Sequence, residues 1–100
     1  MPITVKILPE AQGMVDEADE RWIAEHGLLE DNPLLNEILQ ASNRLRANPE
    51  IGIVFRPARP DIRRLVSHSS WHLYYRFHSE RQLVEILAVW FASRGNAPPL

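Results

Sequence analysis

The sequence predicts an α+β fold in which an antiparallel helical hairpin covers one face of an antiparallel sheet. Three observations predict it: a short alternating apolar run at the start, a helical period through the first half, and alternating apolar runs from residue 51 onward. The resulting order is β-α-α-β-β-β, with an N-terminal strand, two helices and a three-stranded antiparallel meander. One hundred residues suffice for a single domain, residues 1–100, with its own apolar core.

The first strand and the first helix are separated by a change of period. An apolar residue recurs at every second position from Ile3 to Ile7, which predicts a short strand that Pro9 ends. From Ala11 onward, apolar residues recur at helical spacing, and the acidic residues between them form a solvated face. The apolar members are Met14, Val15, Ala18 and Trp22. His26 and Gly27 then predict the helix end, because glycine adopts the left-handed conformation at little cost.

The second helix is expected to begin within the sequence EDNPLL. Asp31 or Asn32 can cap the backbone N–H groups, and Pro33 suits the first helical position. Asn48 and Pro49 are expected to end the helix. Its inner stripe is predicted to consist of Leu35, Ile38, Leu39, Ser42 and Leu45.

The residues after Pro49 follow the pattern of strands. IGIVF is the first β-rich run, and the two prolines of RPARP after it favour an edge or a loop. DIRRLVS, SSWHLYYRFH and QLVEILAVWFA are the further candidate strands. The last run is apolar on both parities, which predicts a central strand that is buried on both faces.

The strand that ends at His78 is expected to have one buried and one open face. The alternate residues that are expected to face the core are Trp71, Leu73, Tyr75 and Phe77. The residues between them, which are expected to face away from the core, are His72, Tyr74, Arg76 and His78. These outward groups are either an ordinary solvated surface or a site for an anion, a partner chain or a proton. The three tryptophans of the chain are interpreted as core residues.

Charge is distributed unevenly along the chain. Residues 1–50 hold four basic and ten acidic residues, whereas residues 51–100 hold seven arginines and three acidic residues. The net charge of −2 therefore combines an acidic first half with a basic second half. Such asymmetry is typical of a basic face for phosphate or an acidic peptide, although it also arises from two solvated surfaces.

The composition limits which cellular compartment and which kinds of side-chain chemistry fit this chain. The chain has no cysteine, which excludes disulfides and thiol catalysis and agrees with a reducing compartment. No apolar run is long enough to cross a bilayer, and the N-terminus lacks the features of a secretory signal. We therefore expect a cytoplasmic protein that has no association with a membrane.

Several segments together resemble the RelE/ParE superfamily of type II toxin–antitoxin toxins. They are NPEIG, IRRLV, WHLYYRF and LAVWFASRG, with PPL at the end of the chain. The resemblance covers nearly the whole chain and is strongest over residues 48–100. It implies a toxin that a cognate antitoxin neutralises. Members of this superfamily either cut messenger RNA in the ribosomal A site, as RelE-like toxins do, or bind DNA gyrase without nuclease activity, as ParE-like toxins do.

The resemblance also implies which residues are functional. In the nucleases, basic groups on the sheet hold the phosphate, and here Arg63 matches one of these positions. His72 stands where those sequences have an arginine, Arg94 lies near a late basic position, and Phe91 replaces a common histidine. If this chain is a nuclease, the catalytic residues are expected to be His72, Tyr74, Arg63 and Arg94. His72 would be the base, because an imidazole titrates close to neutrality, and Tyr74 could polarise or stack on a nucleic-acid base. Partner-binding residues are expected to be Arg63, Arg64, Arg76, Tyr74, His72 and Arg94.

Other site chemistries fit the sequence poorly. A zinc site would need His72 and His78 on one ion, but six residues of strand hold them about 20 Å apart. Neither a nucleophile elbow nor a phosphate-binding glycine loop accompanies the histidines and serines. We therefore predict neither a metal nor another cofactor.

The missing C-terminal tyrosine or histidine and the negative net charge both weaken the prediction of an RNA-cutting enzyme. We therefore predict a toxin that inhibits growth by binding a target such as DNA gyrase. The alternatives are a metal-independent, ribosome-dependent endoribonuclease and an interaction module without toxicity.

Overall fold

The computed structural model of the chain describes residues 2–67, 71–92 and 96–100, and its elements follow the predicted order with one additional strand. Strand β1 (Thr4–Ile7) precedes helices α1 (Pro9–His26) and α2 (Pro33–Ala47). The remaining elements are β2 (Ile53–Arg56), β3 (Arg59–Val66), β4 (Trp71–His78), a 3-10 turn (Ser79–Arg81) and β5 (Leu83–Phe91). The predicted α+β class, with a strand and two helices before the sheet, is confirmed.

All described strands form one mixed sheet in the order β1-β5-β4-β3-β2. β1 pairs in parallel with β5, and the other neighbours are antiparallel. Because β5 lies between β1 and β4, the expectation that the last apolar run is a central strand is confirmed.

The meander has four strands, whereas the sequence predicted three. The additional strand is β2, a four-residue edge strand in which Ile53 lies opposite Arg64 and Val54 opposite Arg63. The proline-rich RPARP segment does not end the pairing, because Pro57 and Ala58 form the turn and Pro60 lies near the start of β3. Proline is tolerated at strand beginnings, where its missing N–H interrupts little of the ladder.

The helices begin and end where local chemistry predicts. Pro9 occupies the first turn of α1, and Gly27 ends it with a positive φ of 85°. Asn32 caps α2, since its side-chain oxygen accepts a hydrogen bond from the backbone N–H of Leu34 at 2.9 Å. Asn48 follows the last turn of α2.

The main core lies between both helices and one face of the sheet. The helices contribute Ala11, Val15, Leu34, Ile38, Ala41 and Leu45, and the sheet contributes Leu65, Leu73, Tyr75, Val84, Ile86 and Val89. The predicted inner stripe of α2 was wrong in part. Leu35 and Leu39 are 49% and 58% exposed, and Leu34 and Ala41 are buried in their place. The stripe is rotated by one residue, which turns these two leucines towards solvent.

A β-bulge in β5 changes which side chains face the helices. Tyr75 lies opposite Ile86 and Tyr74 opposite Ala88, so Leu87 has no partner in the ladder. Ile86 therefore faces the helices together with Val89, although the two residues have opposite parity. Ala88 and Trp90 belong to a second, smaller core on the opposite face.

Candidate functional site

The sheet face opposite the main core, called here the open face, carries the predicted outward row of β4. Opposite that row, β3 contributes Ile62, Arg64 and Val66, and β5 contributes Glu85, Ala88 and Trp90. Within the described residues, 2–67, 71–92 and 96–100, no helix is long and apolar enough to cross a membrane. The same ranges contain no group of three or more His, Asp or Glu side chains that could hold a metal ion.

Half of the open face is a second apolar core. Tyr74 is 2% exposed and packs with Ile62, Ala88 and Trp90. The ring of Phe55 meets Tyr74 edge to face at a centroid distance of 4.8 Å, and Leu100 also packs here. Tyr74 therefore does not present its ring to solvent, and the expectation that it stacks on a nucleic-acid base has no geometric support. Its observed contacts are those of a cross-strand packing residue.

The other half of the open face is a network of ion pairs. Arg76 lies 3.3 Å from a carboxylate oxygen of Glu85 and 3.9 Å from one of Asp61. His78 makes a 2.5 Å hydrogen bond to the same oxygen of Glu85, and Arg59 pairs with Asp61 at 3.2 Å. Arg76, one of the predicted partner-binding residues, is thus already engaged by carboxylates of its own chain.

We predict that Glu85→Gln removes an acid-sensitive part of the folding stability. The hydrogen bond from His78, assisted by Arg76, holds the pKa of Glu85 below its ordinary value of 4.5. Because the folded-state pKa is the lower one, this carboxylate contributes stability above the unfolded-state pKa, and the contribution is lost as the pH falls through the folded-state value. Urea unfolding midpoints of wild type and Glu85→Gln should therefore differ at neutral pH and converge in acid.

Glu80→Gln is the matched control for this substitution. Glu80 is exposed in the turn between β4 and β5, so its replacement should leave the midpoint close to that of wild type across the titration. A gap between wild type and Glu85→Gln that stays constant down to strong acid would contradict the prediction.

Arg63 lies on the helix side of the sheet, away from the open face. It pairs across the ladder with Tyr75, whose side chain belongs to the main core. Its Nη1 donates to the backbone carbonyls of Gly52 at 2.8 Å and Glu50 at 3.3 Å. The Tyr75 hydroxyl accepts from the Gly52 N–H at 2.9 Å. Arg63 therefore holds the segment that enters β2, and the structure does not bring it together with His72.

Arg64 and His72 are the predicted site residues that meet on the open face. Arg64 lies opposite Tyr74, and His72 lies two ladder positions further along, between Val66 and Trp90. The Nε of Arg64 is buried without a hydrogen-bond partner, and its guanidinium makes no ion pair with any residue that the structure describes. Burial, and then the charge of Arg64, lower the pKa of His72 below 6.5.

Arg64 and His72 can each perform one chemical function, anion binding and proton acceptance respectively. A guanidinium without a carboxylate partner can bind an anion such as a phosphate or an acidic side chain. An imidazole whose pKa is lowered is largely neutral at physiological pH, so it can accept a proton. Arg94, the remaining predicted site residue, lies outside the described residues.

The sequence did not reveal which residues of the same chain contact the predicted site residues on the open face. Asp61 and Glu85 engage Arg76, and Phe55 covers Tyr74. Glu85 could have been found from register, because an antiparallel β4–β5 hairpin places an acidic residue opposite an arginine. Phe55 carried no such signal, since it lies at the irregularity that interrupts pairing between β2 and β3.

The element order and the mixed sheet define a fold that solved toxin structures share. No protein-family model and no curated protein matches this chain. The chain is similar to a chain of the toxin–antitoxin complex RelBE2 from Mycobacterium tuberculosis, with a TM-score of 0.69 and 18% identity over 91% of this chain and 99% of that one.

Two further solved structures are similar. A mutant of the Escherichia coli toxin RelE in the free state matches with a TM-score of 0.63 and 16% identity, over 94% of this chain and 87% of that chain. A conserved hypothetical protein from Helicobacter pylori matches with a TM-score of 0.57 and 11% identity, over 94% and 99% of the two chains. The chain therefore shares its fold with these RelBE2 and RelE chains.

Proposed function

We propose that this chain is the toxin of a type II toxin–antitoxin system and that it inhibits growth by binding a cellular target through the open face. The observation that carries the proposal is the Nε of Arg64, which is buried without a hydrogen-bond partner among the described residues and lies near His72 on that face. Similarity to the RelBE2 and RelE chains supports the toxin class and an antitoxin partner. The proposed compartment is the cytoplasm, where such targets lie.

We favour binding over RNA cleavage because few catalytic candidates meet. Arg63 lies on the other side of the sheet, Arg76 is paired with carboxylates, and Tyr74 is buried. Cleavage through the 2′-hydroxyl needs a base, cations around the phosphorane and an acid for the leaving oxygen. Arg64 and His72 supply one cation and one base. Binding a protein target such as DNA gyrase requires a complementary surface and does not require this complete set of catalytic groups.

The ribosome-dependent endoribonuclease remains the second candidate because of one specific observation. The lowered pKa of His72 leaves a neutral imidazole next to a cation, which is the state that a general base requires. A nuclease would use His72 to deprotonate the attacking hydroxyl and Arg64 to hold the phosphate.

Induction of the chain in a bacterial host distinguishes these functions. We expect growth arrest, intact messenger RNA and covalent gyrase–DNA adducts. Codon-aligned cuts in messenger RNA that disappear in His72→Ala would establish the nuclease instead. His26→Ala is the matched control, because His26 is an exposed imidazole on α1. Normal growth with abundant folded protein would refute both toxin functions and leave an interaction module without toxicity.

A further inference from the structure

The outer side of β2 pairs with no strand that the structure describes. β2 is the last strand of the sheet, so only its side towards β3 carries a ladder. The other side of such a strand leaves backbone N–H and C=O groups unpaired, and a further strand can add there. Many proteins prevent this with a charged side chain on the edge strand. Lys6 lies within β1, the other edge strand, whereas residues 51–55 along β2 carry no charge.

The residues along this side of the sheet are apolar and exposed. Ile51, Ile53 and Val54 are 39%, 59% and 43% exposed. Pro49 and Pro57 bound the run, and neither has a backbone N–H that could extend a ladder. The segment between them, residues 50–56, is called here the β2 edge. Its exposed apolar side chains favour the addition of one short strand from a partner.

The β2 edge is complementary to itself when two copies run antiparallel with Ile53 at the centre. In that register Ile53 lies opposite Ile53 of the second copy, and Ile51 lies opposite Phe55. Gly52 lies opposite Val54. Cross-strand pairs of aliphatic and aromatic residues stabilise a sheet. The irregularity between β2 and β3 does not interrupt this segment, because its extra residues lie in β3.

The charges at the two ends of the β2 edge fit the same register. Glu50 lies opposite Arg56 of the second copy, and the twofold symmetry forms this pair twice. Neither side chain makes an ion pair with any residue that the structure describes. Every other antiparallel register moves the acidic residue away from the basic one. Charge complementarity therefore selects a second copy of this chain, and this register, as the occupant.

We propose that two copies of the chain form a dimer by antiparallel pairing of their β2 edges. The contact uses the same residues of both copies, so it closes on itself and adds no third chain there. Two five-stranded sheets then become one sheet of ten strands. Seven paired residues bury less surface than a standard stable interface, so we expect a reversible dimer with a dissociation constant of about 10–100 µM. This dimer does not depend on the proposed toxin function.

The dimer places both open faces on the same side, because identical strands that pair antiparallel are related by a twofold axis perpendicular to the sheet. Arg64 lies opposite Ile53 in the ladder between β2 and β3. The Arg64 Cα atoms of the two copies are therefore three strand spacings apart, about 14 Å. The dimer thereby presents two guanidinium groups to a single ligand.

Sedimentation velocity of the full chain, from micromolar to millimolar concentration, tests the dimer. We expect wild type to shift from monomer to dimer as the concentration rises. Ile53→Lys places like charges opposite each other on the twofold axis and should stay monomeric. Leu39→Lys is the matched control, because Leu39 is 58% exposed on α2 and its replacement should leave dimerisation unchanged. A wild-type chain that stays monomeric at millimolar concentration would overturn the proposal and leave the β2 edge to a strand of a different protein.

An exchange of charges tests the pairing at the ends. Glu50→Arg and Arg56→Glu should each weaken dimerisation about tenfold, because each variant turns two attractive pairs into two repulsive ones. The double variant restores opposite charges across the interface and should recover the wild-type dissociation constant. A double variant no better than either single variant would contradict the proposed register.

Single cysteines test the centre of the register, since the chain has no cysteine of its own. Residues directly opposite in an antiparallel pair have Cα atoms about 4.5–5.5 Å apart, which a disulfide can bridge. Ile53→Cys should therefore cross-link to its own copy under mild oxidation. Val54→Cys should not, because the two copies of that residue lie on a diagonal about 7–8 Å apart. No cross-link from Ile53→Cys, or equal cross-linking of both variants, would overturn the proposal.

Discussion

Arg64→Ala abolishes growth inhibition if the open face is the target-binding surface. Its guanidinium makes no ion pair with described residues, and its Nε is buried without a partner. Loss of a charged hydrogen bond to a target costs about 1.5–3 kcal/mol, which weakens binding roughly ten- to hundredfold. Colony survival over graded inducer concentrations measures the effect. Because Arg64 makes no internal bond that the structure describes, the thermal unfolding midpoint should change little.

Arg59→Ala is the matched control for this prediction. Arg59 belongs to the same strand, but its side chain is 41% exposed and pairs with Asp61. Its removal should leave growth inhibition intact. The histidine provides a second readout, since loss of the Arg64 charge should raise the pKa of His72 towards 6.5. Undiminished toxicity of Arg64→Ala at equal protein abundance would show that the target binds elsewhere.

Gly52→Ala is expected to destabilise the fold by about 3 kcal/mol, at the upper end of the cost of overpacking. A Cβ at this position would lie 2.8 Å from the backbone oxygen of Arg64 and 2.8 Å from the Tyr75 hydroxyl. Neither group moves easily, because the oxygen belongs to the β3 backbone and Tyr75 is fully buried. Urea denaturation followed by far-UV circular dichroism measures the loss.

Gly13→Ala is the corresponding control within the same chain. A Cβ there would meet no atom within 4 Å, and the position lies inside α1. Alanine has the higher helix propensity, so this variant should gain about 0.5–1 kcal/mol. If Gly52→Ala were as stable as Gly13→Ala, the close contact between Gly52, Arg64 and Tyr75 would be refuted.

Local signals in the sequence were sufficient for the helices and for β4. Pro9, Gly27, Asn32 and Pro33 act on their own neighbours through capping, fixed φ or positive φ, so their effects need no tertiary information. The alternation in β4 was equally clear, and its inward residues Leu73 and Tyr75 are fully buried. Periodicity predicts such elements because apolar residues recur on one face.

Features that depend on contacts between distant segments could not be predicted. The bulge at Leu87 reverses the parity of β5, and an apolar run in which both parities are hydrophobic does not reveal where that happens. The inner stripe of α2 also depends on contacts with distant segments, so its rotation could not be predicted. Adjacent leucines, Leu34 and Leu35, fit either side of a helix until packing selects one.

The candidate site was predicted by residue type better than by position. Arg63 and Arg64 are neighbours in a run with apolar residues on both parities, so pattern alone cannot decide which one faces the helices. Tyr74 has an outward parity, but Phe55, Trp90 and Leu100 cover it from other segments. The ion pairs of Arg76 likewise need the register of three strands.

The parallel pairing of β1 with β5 has a consequence for folding during synthesis. Val5 lies opposite Val84 and Ile7 opposite Ile86, so strands from nearly opposite ends of the sequence form neighbouring rows of the sheet. Contacts between such distant segments slow folding, because a long loop must close before they form. While the ribosome still holds β5, β1 has no partner in the sheet. The complete sheet therefore assembles only after β5 has emerged from the ribosome.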